Sequence, residues 1–478
     1  MDATEQKLDF IIKRFGPADQ WAIVDKALMA WLPHPLMIRV PNSYTRVGQA
    51  VQRVISEPWF TRLSDISQVG KTLSFLSQGR MPAFTVVHHT WTVYDLMERF
   101  CRNSEVTIQD LEVCRMAAIL HDVMKPAWTP ISEVFMVKNH EELLSDFRPA
   151  RTICERYHIP WEEVTNTVRG EGRLGRLLES EGDLDKLAYV GLLSDLLATT
   201  AYDSNNGFLG FGMREALRLV SRYRIVHKAD EYHLCLDPTS DGVKLFVKFM
   251  QALVNQYAMF LDKHTVIFEG LAFRALEEAI ETEVIPLDWF NSLDQIVAVT
   301  DSHINARLNS IGSEEEKEHV RSLWNRLMSR NVWRYACLEI PYKETPDELV
   351  KRILELRQEM KVTRTPYLES KFRRLTVNLQ NWIARSVGAK RKDFKDFIVI
   401  FRERLQPDFR AGYDVEQFGW HIKILNDGLE LASTFEPLIE ELKKMEKEQL
   451  CRVMCIVPSK YYTRATQLRW EEACESLI

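Results

Sequence analysis

Apolar positions recur at helical spacing through much of the chain. In TIQDLEVCRMAAILHD (107–122) they fall at 108, 111, 114, 117, 118 and 120, close to the 3.6-residue period. Thr107 followed by Asp110 resembles a capping box, and Pro126 closes the segment soon after. Residues 86–102 read as another amphipathic helix, with Val93, Leu96 and Phe100 on one stripe. Residues 243–283 predict one or two long helices, and 348–360 and 426–449 predict two more. Strands are few. HLCLDPTSDG (233–242) has the alternation and turn cluster of a short hairpin, while DFIVIFRERL (396–405) and CRVMCIVPS (451–459) are apolar, β-branched runs that suit strands. The pattern predicts a mainly α protein with small β-hairpins and an α+β C-terminal region.

A chain of 478 residues predicts two to four folded units at roughly 150 residues each, or one large unit. Polar turn residues cluster at 311–316 and 341–347, and more weakly at 202–213. The organisation read from these breaks is an N-terminal helical segment (1–35), a core unit (36–312) and a C-terminal α+β region (313–478), the last suited to oligomerisation or regulation. Twelve Trp and 23 Phe supply a core, which excludes disorder as the main state. A net charge of −6 argues against a general nucleic-acid coat. No apolar run reaches the roughly 18 residues that span a bilayer, and the acidic start MDATEQ lacks an apolar signal core. Eight scattered Cys suit reduced thiols, so the expectation is a cytoplasmic protein without a membrane partner.

The sharpest chemical feature is His121-Asp122, at the end of the apolar helix AAIL. His88-His89 lies one helix upstream and Asp185 one or two helices downstream. Imidazole with carboxylate suits a divalent ion such as Mn, Mg, Fe or Zn, and ligands on separate helices build a rigid cage. A His-Asp dipeptide alone is more often a surface pair or a cap. Within a strongly apolar helix, however, such a pair is costly unless partnered or metal-bound.

With these residues in place, the sequence resembles the HD-domain superfamily of metal-dependent phosphohydrolases, whose pattern is His…His-Asp…Asp. It is most similar to the dNTP triphosphohydrolase branch, the SAM-and-HD-domain type and its bacterial relatives, over roughly 36–340. EPWFTRLSDISQVG (57–70), HHTWTV (88–93), AAILHDVMKP (117–126), NHEELL (139–144) and DLDKLAY (183–189) follow that branch's motifs in order. LDWFNSLDQIVAV (287–299) and MSRNVWRY (328–335) echo its distal helices. The resemblance implies an HD-domain helical bundle with metal ligands His89, His121, Asp122 and Asp185. It implies His140 and Glu141 beside the ion, handling protons or orienting water. It also implies Lys186, Tyr189 and Gln68 as substrate contacts. Read without the family, His140-Glu141 is a solvated helix start, Lys186 a surface cation and Tyr189 a core aromatic.

There are departures from the branch. Val86 stands where an Arg precedes the first His, and VMKPAWTP follows the His-Asp pair in place of a His-bearing run. Ala188 replaces an Asp, and Ala252 and Phe260 fall near the positions of an Arg and a Tyr that grip triphosphate. Losing charge-assisted contacts weakens a polyphosphate grip. Lys125, in His-Asp-x-x-Lys-Pro, resembles HD phosphodiesterases and monophosphatases, where the Lys sits near the scissile phosphate; otherwise it is a helix C-terminal cation.

The leading expectation is therefore a nucleotide phosphohydrolase of the dNTP triphosphohydrolase kind. The alternatives are a nucleotide phosphodiesterase or 5′-nucleotidase, or a catalytically weak nucleotide-binding sensor subunit. A homodimer or homotetramer follows from the resemblance alone. Residues 361–393 interleave Lys and Arg with Tyr367 and Trp382, a pattern open to nucleic acid but more often the solvated face of a helix.

Overall fold

The computed structural model describes residues 45–68, 84–102, 106–178, 183–200, 210–228, 231–236, 240–260, 263–312, 317–329, 334–340, 347–402, 422–424, 452–469 and 472. The readings at 1–35 and 426–449 lie outside these residues. The chain opens with α1 (Arg46–Ile55), a 3-10 turn at Arg62–Asp65, α2 (Val86–Arg102) and α3 (Ile108–Leu120). There follow α4 (His140–Asp146), α5 (Arg148–Arg156), α6 (Trp161–Val168), α7 (Leu184–Thr200), α8 (Met213–Val220), and the strands β1 (Tyr223–Lys228) and β2 (Glu231–Leu236). Then come α9 (Ser240–Phe260), α10 (Lys263–Glu281), α11 (Asp301–Asn309), α12 (Glu318–Met328), β3 (Tyr335–Ile340), α13 (Asp347–Thr363), α14 (Lys371–Ser386), β4 (Ile398–Arg402), β5 (Ile422–Ile424) and β6 (Arg452–Pro458). The protein is mainly helical, as its periodicity predicts.

α3 shows why. Thr107 is its N-cap, its side chain accepting from the Asp110 amide at 3.2 Å, and its apolar positions from Val113 to Leu120 are buried. α2 and α3 pack together, and α7 packs on α2. The 243–283 pattern resolves into two helices, α9 and α10.

The two small sheets depart from the sequence reading. The hairpin expected at 233–242 lies earlier: β1 pairs antiparallel with β2, from Tyr223↔Leu236 to Lys228↔Glu231, and β5 adds parallel to β2. Ser240, Asp241 and Gly242 belong instead to the first turn of α9, where Ser and Asp are as favourable as they are in a β-turn. In the second sheet, β6 lies between β3 and β4 and is antiparallel to both. β4 and β6 match the apolar runs at 396–405 and 451–459. Tyr335, read as the end of a helical echo, begins strand β3. Residues 287–299 form only a 3-10 turn (Leu287–Phe290) and a one-turn helix (Leu293–Ile296).

Two apolar cores result. One gathers α1, α2, α3, α7, α8 and α9; the other gathers α10, α12, α14 and the β3–β6–β4 sheet. The helices of the first core end with α9, though Ile296, beyond α10, also packs into it. The segment after α3 crosses from one core to the other: Val123 and Met124 are buried in the first, and Ala127, Trp128 and Phe135 in the second.

Candidate metal centre

His89 sits in the first turns of α2. Its neighbour His88 is used locally, its Nδ1 lying 3.1 Å from Thr85 Oγ1 and accepting from the Thr85 amide at 3.4 Å. His89 is therefore the inward imidazole, fully buried. His121 is the C-cap of α3, and its Nδ1 lies 2.9 Å from the Ala118 carbonyl. A carbonyl only accepts, so Nδ1 carries a proton and Nε2 is the nitrogen left to face the other side chains. Asp185 lies in the first turn of α7, the favourable end of the helix dipole for a carboxylate.

These side chains converge. His89 Nε2 lies 2.5 Å from Asp185 Oδ1 and 3.3 Å from His121 Nε2. His121 Nε2 is 3.6 Å from Asp185 Oδ1, and the ligand atoms of all three residues lie within 4.8 Å of one another. Asp122 Oδ2 completes the ring, 3.3 Å from His121 Nε2 and 3.6 Å from His89 Nε2. The donor set fits a divalent cation. Two ring nitrogens facing each other repel unless a proton or cation lies between them, and ligands of one ion at roughly 2.1 Å stand about 3 Å apart. His89 Nδ1 is buried without a hydrogen-bond partner among the described residues, so the ring is held through Nε2.

The electrostatics follow from burial and proximity. Burial pulls His89 below its ordinary value, and its carboxylate neighbours do not offset this. Burial also opposes charge on His121, but Asp122 and Asp185 outweigh it and lift the imidazole to about 10. Asp122 and Asp185 stay well below the usual carboxylate range: burial is overcome by His121 and Lys125 at the first, and by His89 and His121 at the second.

Around this ring stand the other residues singled out in the sequence. His140 opens α4, which Asn139 caps, and its Nε2 lies 3.0 Å from Glu141 Oε1 and 3.6 Å from Asp122 Oδ1. Lys125 Nζ donates to Asp122 Oδ2 at 2.8 Å. Tyr189 is half-buried, with its ring centroid 6.0 Å from His89 and 5.8 Å from Phe84. Gln68 is buried, its backbone N–H donating to the Phe84 carbonyl at 2.8 Å and its side-chain Oε1 unpartnered among the described residues. Lys186 is an internal cation: it is 5 % exposed, and its Nζ donates to Asp183 Oδ2 at 2.7 Å.

The sequence reading gave no role to Asp183, which also caps α7 by accepting from the Lys186 amide at 2.7 Å. Nor did it single out Glu133, whose charge bears on both Lys125 and His140. Asp183 stands inside the DLDKLAY motif and its i,i+3 spacing to Lys186 was visible; Glu133 reaches the site by tertiary folding and carried no signal.

Residues 86–234 match the HD domain family, and the three convergent ligands all lie within that span. The whole fold is similar to the crystal structure of a phosphohydrolase from Bacteroides thetaiotaomicron, with TM-score 0.60 and 15% identity over 91% of this chain and 99% of that one. It is also similar to a hypothetical protein from Aquifex aeolicus, with TM-score 0.56 and 16% identity over 90% of this chain and 96% of that one. At these identities the likeness is one of fold. None of the curated proteins matches the chain.

Proposed function

We propose that the chain is a metal-dependent phosphohydrolase acting on a nucleotide. The convergence of His89, His121 and Asp185 on one point, with Asp122 adjoining, carries this reading. The structural likeness to a phosphohydrolase is consistent with it. When bound, a divalent ion supplies Lewis acidity to a phosphate oxygen and a more acidic water. The chain's own residues do the rest. His89, His121, Asp122 and Asp185 hold the cation. Burial opposes charge on His140, but Glu141 and Asp122 outweigh it and raise the imidazole, so it holds a proton on Nε2 for a departing oxygen. Glu141, 3.0 Å from that nitrogen, orients the ring for that transfer. The Lys125 ammonium neutralises charge beside Asp122, and Tyr189 offers a flat face next to His89.

The ordered motifs favour a deoxynucleoside triphosphate as substrate. A second reading, hydrolysis of a phosphate mono- or diester, draws on Lys125 beside Asp122 and on Val86 and Ala188, both fully buried and apolar where the triphosphohydrolases carry charge. Product analysis separates the two. A panel of dNTPs, nucleoside monophosphates and linear and cyclic dinucleotides, with Mn or Mg, yields tripolyphosphate on the first reading, and phosphate or a mononucleotide on the second. Nucleotide-induced thermal stabilisation without any product would defeat both and leave a nucleotide-binding sensor. A homo-oligomeric state belongs to the same proposal and is checked by light scattering. No helix among the described residues is long and apolar enough to cross a membrane.

A further inference from the structure

The loop that follows the His-Asp pair is gripped from two distant elements. Arg62, in the 3-10 turn Arg62–Asp65, is 7 % exposed. Its Nη2 donates to the Val123 and Lys125 carbonyls, each at 2.8 Å, and its Nη1 to the Val299 carbonyl at 3.2 Å. Asp301, at the start of α11, is 4 % exposed. Its Oδ1 accepts from the Trp128 amide at 2.7 Å and its Oδ2 from the Ser67 amide at 3.2 Å. The two gripping elements are stapled to each other, Ser302 Oγ donating to Asp65 Oδ1 at 2.9 Å.

All three gripped groups of the loop are backbone, and all lie between 123 and 128. This stretch begins one residue after Asp122 and contains Lys125, whose ammonium rests on Asp122 Oδ2 at 2.8 Å. Trp128 sits at φ +62°, a strained value for a bulky side chain, which persists where surrounding contacts over-determine it. The Asp301 bond to its amide is one such contact; the Trp128 indole, which donates to Asn305 Oδ1 at 3.3 Å, is another. Bonds from a charged side chain to backbone groups are charge-assisted and fix geometry tightly.

We propose that Arg62 and Asp301 are positioning residues: by clamping the 123–128 backbone they set where the Asp122 carboxylate and the Lys125 ammonium stand. The proposal rests on the metal-binding reading of the site. The bonds of both residues given above go to backbone groups and to none of the four candidate ligands.

The test uses the full chain, stripped by a chelator and titrated calorimetrically with Mn²⁺, alongside hydrogen exchange of peptides covering 123–128. The variants are Asp301→Asn, Arg62→Lys and Arg62→Gln, with Leu379→Ala in the distant second core as a control for general destabilisation. In Asp301→Asn the loop exchanges faster, and the Mn²⁺ dissociation constant rises about 10–100-fold, as for other residues that orient metal ligands, with the stoichiometry kept. Arg62→Lys stays closer to wild type than Arg62→Gln on both readouts, and gives the answer if Asp301→Asn does not fold. Wild-type exchange and wild-type affinity in the variants, or an equal loss of affinity in Leu379→Ala, would overturn the positioning role alone. A wild-type chain that takes up no Mn²⁺ would instead defeat the metal reading beneath it.

Discussion

His121 donates Nδ1–H to the Ala118 carbonyl and turns Nε2 toward His89 and the two carboxylates. Asp122 and Asp185 outweigh burial and lift the imidazole to about 10, so without a cation that nitrogen would hold a proton. A cation must displace this proton throughout the neutral range. Mn²⁺ affinity should therefore rise about tenfold per pH unit between roughly pH 6 and 9, and titration in buffers of different ionisation enthalpy should count about one proton released per ion. Lys186 belongs to the same scale. It is paired with Asp183, and both are buried, so Lys186→Ala leaves an uncompensated carboxylate. The expected cost is about 3–5 kcal/mol of stability, read as a fall in melting temperature even without nucleotide. A variant melting like the wild type would return Lys186 to substrate contact alone. The His-Asp pair was legible because charge inside an apolar helix is conspicuous. The commitment of Lys186 to Asp183 was not, because an exposed and a buried i,i+3 pair look alike in a sequence.

Helices with strong local signals were the most legible elements. Thr107 caps α3 as its spacing to Asp110 suggested, and α2 spans the stretch its stripe marked. The hairpin was displaced because DPTSDG serves equally as a turn or as a helix start, and only packing decides between them. β3 was missed since its pairing with β6 joins residues more than a hundred positions apart. At α8 the start depends on close approach: the Met213 amide donates to Asp195 Oδ2 at 3.1 Å, and a Cβ on Gly212 would lie 2.2 Å from Asp195 Oδ1. Gly212→Ala should displace that carboxylate and cost about 1 kcal/mol, a value for chemical denaturation to check. Further along, His319 on α12 links α10 to the turn before β4, with Nδ1 2.5 Å from Glu278 and Nε2 3.5 Å from Asp396. Burial disfavours its charge, yet Asp396 and Glu278 raise it above the ordinary imidazole value. Its stabilising contribution is thus complete below about pH 6.5 and is lost as pH rises through the elevated folded value. The gap in melting temperature between wild type and His319→Gln should narrow from pH 6 toward pH 9; a gap that widens would reverse the sign.

Across the whole molecule, the seam between the cores explains where the site stands. The first core supplies α2, α3 and α7, and so His89, His121 and Asp185; the second receives Trp128, whose ring centroid lies 5.8 Å from that of Trp324. The helices of the first core end with α9 and those of the second begin with α10, two helices that look alike in periodicity. Trp324→Ala should remove about 3–5 kcal/mol from the second core, measured by denaturant unfolding. The proposed chemistry needs one cation, held by four side chains, acting on a phosphate. The direct measurement is hydrolysis of a nucleotide panel by chelator-stripped protein, before and after Mn²⁺ is restored, in wild type and Asp122→Ala. The account predicts that wild-type turnover disappears on stripping and returns with the ion, while Asp122→Ala stays at least about 100-fold slower. Turnover that survives stripping, or that Asp122→Ala retains in full, would contradict it.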